Sequence, residues 1–488
     1  MADARETSAL LADMADARET SALLAEPQRE EVLSTKTTPT VLAPPIVDSE
    51  ILQRVEIESS YSGYIAQSGN HEADSAGDNK TTNLQCLMHL LKGNIGTGIL
   101  AMPIAILHSG LWVGFAGLLI IAVIAIHCMH TLVNCSHILC KRTSNITLDY
   151  AGVMEASLKT GTEKLQKFSK AGRILINVLL IVTQFGFCSV YIVFIAQNVQ
   201  QVVESFHPHD LNIRIYEVIV MFLLIPYTFL KDLRVLAPFS AFANLLCICS
   251  LVIIFVYIVQ GLPDVSSRPA FSSWSNLPLY FGTAIYTYEG ISLVLPLENS
   301  MKNRNEFAGW TGVLNLGMIT VTALYSAMGF FGYLKFGDTV QGSITLNLPN
   351  DDWLYLSVKL MFAISMYVTF GIQFYVPMKI IWPSIECRLT SRRVIIFGEY
   401  VFRVLLVLLV FCFAILVPHL DLLISLIGAF ASCSLALIFP PIIEMCTHSA
   451  DNHISIIMII KNVCIVSVGI LGFFTGTYSS VTQIIKKF

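Results

Sequence analysis

Three glycines in six residues, in the run Gly93-Asn94-Ile95-Gly96-Thr97-Gly98, interrupt an otherwise apolar segment. A continuous helix is costly there, because glycine gives up backbone freedom on ordering and leaves peptide groups uncovered. In a bilayer, uncovered backbone persists only where it lines a protein-enclosed cavity, so the run marks a place for a bound solute. A second such place is Tyr286-Thr287-Tyr288-Glu289-Gly290, where a glycine stands beside a carboxylate in another apolar stretch. A helix resuming near Gly98 aims free N–H groups and its positive dipole end at the break, ready for a carboxylate. A half-helix ending near Tyr288 offers carbonyls to an ammonium. Together the two breaks suit a zwitterion, with Tyr286 and Tyr288 able either to close around it or to serve as ordinary core contacts.

Two titratable residues stand beside these breaks. His89 lies one turn before Gly93 on the same helical face, and imidazole titrates near neutral pH, which suits a coupled proton; the plainer alternative is a structural hydrogen bond. Glu289, if unpaired, is protonatable in mild acid, and its plainer alternative is an internal cap on the broken helix. Lys92, Glu217, Glu298, Lys359, Glu399 and Arg403 are expected to be paired, snorkelling or near a boundary. His127, His130 and His137 share one end of a span but lack the carboxylate or fourth ligand of a metal site. No metal is expected, and no cofactor beyond protons as the coupling ion. Nucleophile-elbow, metalloprotease and P-loop patterns do not occur, so the chain reads as no enzyme, and nothing in it calls for nucleic acid.

The elements that must position these residues are membrane helices. Hydrophobic residues make up 55% of 488 positions and charged residues 13%, with a mean hydropathy of +0.67, which places the chain among polytopic membrane proteins. Apolar runs of spanning length occur at 84–107, 111–139, 174–202, 216–230, 235–259, 277–296, 310–333, 353–378, 394–417, 422–445 and 463–484, giving eleven expected transmembrane helices in a domain over 84–486. Spans one and six hold the two breaks and lie five apart, the pattern of a five-plus-five inverted repeat around a central site. With the N-terminus in the cytosol, the cytosolic loops carry 16 Lys and Arg and the opposite side 5, as the positive-inside rule requires. All twelve cysteines fall in spans or cytosol-facing segments, which argues for packing thiols rather than a disulfide scaffold.

Residues 1–80 are a different object. They hold 15 acidic and 6 basic side chains, few aromatics and Pro44-Pro45, and are read as a disordered cytosolic tail. The tail contains a perfect duplication: Met1 to Ala12 and Met14 to Ala25 both read MADARETSALLA. Each copy resembles an acidic dileucine sorting signal, Glu6 with Leu10 and Leu11, and Glu19 with Leu23 and Leu24, which would engage a sorting adaptor for an endosomal or lysosomal address; a tandem duplication in an unconstrained tail is the bland alternative. The first strongly apolar run begins near Leu84, too late for a cleaved leader, so none is expected.

Several long motifs, in order, resemble the proton-coupled amino acid transporters of solute carrier family 36, in the amino acid/auxin permease branch of the amino acid, polyamine and organocation superfamily. They are LMHLLKGNIGTGIL (87–100), FGTAIYTYEGISLVLPLENSMK (281–302), GYLKFGDTVQGSITLNLP (332–349), QFYVPMKII (373–381) and LDLLISLIGAFASCSLALIFPPIIE (420–444). The resemblance implies an all-α, eleven-helix, LeuT-like inverted repeat working by alternating access. It also implies symport of small neutral amino acids with protons into the cytosol, at the plasma membrane or an endosomal or lysosomal membrane. His89 matches the family histidine implicated in proton coupling. The resemblance further implies a disulfide between two exofacial loops in vertebrate members, but here the loop 204–214 has no cysteine and Asn350 is followed by Asp351 and Asp352. Two alternatives stand beside symport of protons: an amino acid sensor signalling through the tail, and coupling to sodium held by span-one carbonyls with hydroxyls such as Ser365 or Thr369.

Overall fold

Helix breaks, rather than helix count, organise the chain. The computed structural model describes residues 81–207, 211–230, 233–389, 391–417, 419–449 and 455–487. The acidic tail over 1–80, with both dileucine copies, lies outside the described residues.

Helix α1 (Asn83–Asn94) starts at a capping box, in which the Gln85 amide donates to Thr82 Oγ1 and the Gln85 side chain returns to the Thr82 amide. It stops at Ile95-Gly96. The chain resumes as α2 (Thr97–Leu100) and, through Ala101 in right-handed helical conformation, continues as α3 (Met102–Ser109). Helix α4 is Leu111–Thr143. The basic stretch after it, read from sequence as a loop, contains a helix, α5 (Tyr150–Lys159), capped by Asp149 accepting from the Gly152 amide at 2.8 Å.

Next come α6 (Ser169–Phe206), α7 (Ile213–Thr228), α8 (Leu233–Val259) and α9 (Leu277–Thr287). The second break, Tyr288 to Gly290, separates α9 from α10 (Ile291–Ser300), and α11 (Val313–Phe336), α12 (Trp353–Glu386) and α13 (Arg392–Leu416) follow. One further span begins as α14 (Leu420–Ile427), passes through two π-helical turns (Gly428–Ser432 and Ser434–Ile438), and ends as α15 (Phe439–Ser449). The last helix is α16 (Ile456–Lys487).

Among the described residues, eight helices are long and apolar enough to cross a bilayer alone: α4, α6, the part of α8 from Phe239, α11, α12, α13, the α14–α15 span and α16. The remaining expected spans are α7, of 16 residues, and the two interrupted segments. A helix pair with a gap cannot meet a length criterion, although its halves together cover the same distance.

The π turns free carbonyls that an α-helix would use, and the structure spends them. Leu435 O accepts from the buried Tyr150 hydroxyl at 2.6 Å, tying α5 to this span. The start of α1 is likewise tied to the end of α10: the Thr81 amide donates to Ser300 O at 2.9 Å, and the Lys302 amide returns to Thr81 O at 3.1 Å. All twelve cysteines are free thiols.

Candidate functional site

The two breaks, almost two hundred residues apart in sequence, meet. Glycine makes the meeting possible. A β-carbon on Gly98 would lie 2.5 Å from Thr287 Cγ2, and one on Gly290 would lie 2.6 Å from Asn94 Oδ1. Gly93 is pressed in the same way against Leu293 of α10. Gly96 is different: a β-carbon there would meet only the Tyr191 hydroxyl, at 3.8 Å.

Side chains then tie the breaks together. Thr97 Oγ1 and the Tyr286 hydroxyl are 3.0 Å apart, and Tyr286 meets Phe187 of α6 edge to face at 4.9 Å. The hydroxyl of Tyr325 of α11 lies 2.6 Å from Asn94 O and 3.0 Å from Thr287 O, its one proton shared between them. One phenol thus bridges a carbonyl from each interrupted helix. Tyr288 turns towards α11, where it packs against Tyr325 at 5.4 Å.

What is left unpaired defines the chemistry. Asn94 is buried; its Nδ2 donates to Leu90 O at 2.8 Å, but its Oδ1 receives nothing from the protein. Glu289 is buried, and among the described residues no basic side chain pairs with its carboxylate; the Ser292 hydroxyl, one turn on, is the side chain that interacts with it. The helix beginning at Thr97 has no side-chain cap. A buried acceptor without a donor and a helix start without a side-chain cap thus both lie at the breaks.

The structure therefore brings together Asn94, Gly96, Thr97, Gly98, Tyr286, Glu289 and Gly290 of the expected site, with Gly93 and partly buried Ile95 on its α1 side. His89 is exposed on α1. The three histidines of α4 go separate ways: His130 Nε2 meets Asn315 Oδ1 at 2.7 Å, His137 pairs with Glu298, and His127 Nε2 has no partner. Among the described residues no cluster of acidic, histidine or cysteine side chains could hold a metal.

Sequence reasoning missed Tyr325, Tyr191 and Phe187. The available signal was a tyrosine inside an apolar run, since a buried hydroxyl needs a partner and broken helices supply orphan carbonyls.

Residues 79–482 match the sequence profile described as transmembrane amino acid transporter protein. The chain belongs to the transmembrane amino acid transporter family. It is 37% identical over 409 residues to the proton-coupled amino acid transporter-like protein pathetic of Drosophila melanogaster, covering 84% of this chain and 86% of that protein. It is 28% identical over 420 residues to the probable amino acid transporter skat-1 of Caenorhabditis elegans, covering 83% of this chain and 91% of the relative. Family membership and the long apolar helices make the chain a multi-pass membrane transporter of amino acids and no enzyme.

Proposed function

We propose that this transporter carries small neutral amino acids into the cytosol together with protons, by alternating access. Its eleven membrane crossings would form a five-plus-five inverted repeat with a cytosolic N-terminus. The observation that supports the site assignment best is the unpaired, buried Asn94 Oδ1 packed against Gly290, next in sequence to the buried Glu289 carboxylate that no cation pairs with among the described residues. The substrate carboxylate docks on amides near Thr97 and Gly98, and its ammonium on oxygens at Asn94 and the end of α9. Space at Gly96 accepts the substrate backbone, and Tyr286 closes the pocket.

Glu289 and His89 are the proton sites. An unpaired carboxylate buried at membrane depth is tolerable chiefly as the neutral acid, so Glu289 can take a proton in one state and release it in another. His89, on the half of span one before the break, would exchange protons with the side to which that half opens. The name of the fly relative, which includes proton coupling, agrees with this reading. Protons suffice energetically: one pH unit supplies about 1.4 kcal/mol and ~100 mV about 2.3 kcal/mol per charge, enough together for accumulation of several hundredfold, on the order of magnitude. The membrane is that of the cell surface or of an endosomal or lysosomal compartment, to which the duplicated tail motif would direct the chain through a sorting adaptor.

The test is uptake of labelled alanine, proline and glycine into proteoliposomes under an inward proton gradient without sodium. Wild type accumulates substrate, His89→Ala loses gradient-driven accumulation, and Glu289→Gln exchanges substrate without responding to the gradient. Wild-type accumulation that occurs only with sodium would sink the proton assignment.

A further inference from the structure

Helix α5 turns into α6 through an elbow over residues 160–168, which contains a single helical turn, Glu163–Gln166. Residues 150–173 carry five basic side chains and two acidic ones, Glu155 and Glu163. Glu155 is engaged by Lys159 and Arg173, at 2.6 and 2.8 Å. Lys164 and Lys167 are exposed, and among the described residues no acidic side chain pairs with either.

Next to these lysines stands a ring that water does not favour. Phe168 is 63% exposed, directly after Lys167 and directly before α6. Along α6 the exposed apolar side chains begin at Ile174 and continue with Leu175 and Val178, the start of a lipid-facing surface. Phe168 precedes Ile174 by six residues, about 9 Å of helix rise, which sets its ring at the depth of the headgroups when those residues touch acyl chains. An aromatic ring at that depth, beside unpaired ammonium groups, is complementary to an anionic headgroup: the ring enters the interface and the lysines meet phosphate.

The elbow is also joined to the second break. The chain leading into α5 offers two carbonyls to the end of α10 and the residues after it: Asn299 Nδ2 donates to Leu148 O at 3.2 Å, and Arg304 Nη1 to Ile146 O at 2.9 Å. Helix α10 starts directly after Gly290. The half-helix that begins at the break therefore ends on the segment that the elbow anchors.

We infer that the α5–α6 elbow is a docking site for anionic phospholipid headgroups of the cytosolic leaflet, with Lys164 and Lys167 on the phosphates and Phe168 among the headgroups, and that lipid seated there raises the transport rate by steadying α5 against α10. This rests on the proposed cytosolic orientation of the elbow.

The test uses the full-length chain and two lipids that differ in headgroup charge, phosphatidylserine and phosphatidylcholine. In detergent, short-chain phosphatidylserine is expected to raise the melting temperature of wild type, and short-chain phosphatidylcholine to leave it unchanged. Lys164→Gln combined with Lys167→Gln should bind phosphatidylserine about thirtyfold more weakly and Phe168→Ser about tenfold, whereas Lys164→Arg combined with Lys167→Arg should match wild type. All three positions are exposed, so the variants should fold as wild type does. Added salt should weaken wild-type binding by screening the charges.

In proteoliposomes the readout is counterflow, meaning exchange of labelled for unlabelled amino acid without an imposed ion gradient, with whichever of alanine, glycine and proline the wild type exchanges fastest. Wild type should exchange severalfold faster when about a fifth of the phosphatidylcholine is replaced by phosphatidylserine, and the double glutamine variant should not respond. A wild-type melt that ignores phosphatidylserine, or a double glutamine variant that binds it as tightly as wild type, would overturn the site. Binding that leaves exchange unchanged would overturn the link to α10. Short-chain lipid in detergent reaches both ends of the protein, so binding reads independently of orientation. Labelling of Lys167→Cys above the wild-type background by an impermeant thiol reagent outside intact cells would refute the cytosolic leaflet and leave the binding result standing.

Discussion

The hydroxyl of Tyr325 lies 2.6 Å from the carbonyl of Asn94 and 3.0 Å from that of Thr287, so its one proton, shared between them, joins α11 to both breaks. Each of these carbonyls is an orphan of helix termination, and burial without a donor would cost each about 1–3 kcal/mol. Tyr325→Phe removes the donor and keeps the ring against Tyr288. The expected outcome is a lower melting temperature and an apparent KM for amino acid raised about tenfold, as the two breaks lose their common anchor. Uptake kinetics and a melt on the same preparation check it; an unchanged KM would remove Tyr325 from the binding geometry.

Gly96 and Gly98 are two residues apart and should fail differently. A side chain on Gly98 meets Thr287 at 2.5 Å, whereas one on Gly96 meets nothing closer than the Tyr191 hydroxyl at 3.8 Å. Gly98→Ala is therefore expected to cost about 1–3 kcal/mol of stability through overpacking. Gly96→Val inserts and folds but does not bind, since it fills space that the substrate backbone requires. Surface expression, melting temperature and substrate-induced stabilisation, measured side by side, separate the two.

Glu289→Gln mimics the protonated acid in shape and charge. A glutamine oxygen can still accept from the Ser292 hydroxyl and no cation pairs with Glu289 among the described residues, so the variant should fold normally. Its expected phenotype is counterflow close to wild type with accumulation that no longer follows an imposed pH gradient. Retained pH-driven accumulation would leave His89 as the proton site.

Away from the membrane core, Glu155 of α5 holds Lys159 at 2.6 Å and Arg173, at the start of α6, at 2.8 Å. Partial burial alone would raise its carboxyl, but hydrogen bonds from Lys159 and Arg173, with their charges, hold it below the usual carboxylate range. A depressed folded-state value means that the clasp stabilises fully above the unfolded carboxylate's titration, near 4.3, and that this stability is lost as pH falls through the lower folded value. Glu155→Gln should melt roughly 1 to 3 °C below wild type at pH 7, a modest effect for a solvent-accessible pair. The difference should close as the pH is taken below about 4. A gap that stays constant with pH would mean that the glutamate acts by shape alone.

Both breaks were legible because glycine spacing is a backbone property written directly in the sequence. Their meeting was legible only as an analogy between spans one and six; the contacts that enforce it, Thr97 with Tyr286 and Gly290 with Asn94, depend on three-dimensional register that no periodicity reports. Tyr325 was invisible for the same reason, since it lies in a third helix and its role follows from carbonyls elsewhere. Helix α5 was hidden by the lysines around it, which read as a solvated loop, although Tyr150, Val153 and Leu158 are buried. Lys92 was seen and set aside as a pairing residue, because sequence gives no hint that its partner is a backbone carbonyl of α8.

The two π turns between Gly428 and Ile438 have a consequence for how this chain can change. Each accommodates one residue more than an α-helical turn, so the span reads as an ordinary helix in which insertions were absorbed rather than rejected. Upstream of them Ser425 bonds Leu279 O of α9 at 3.1 Å; downstream Glu444 pairs with Lys461 of α16 at 2.8 Å. Deleting a single residue between these anchors would turn one against the other by about 100°, so a span that once took residues in can no longer give one up, and buried Gly428, where a β-carbon would run into the Gly282 carbonyl, holds its place against substitution as well.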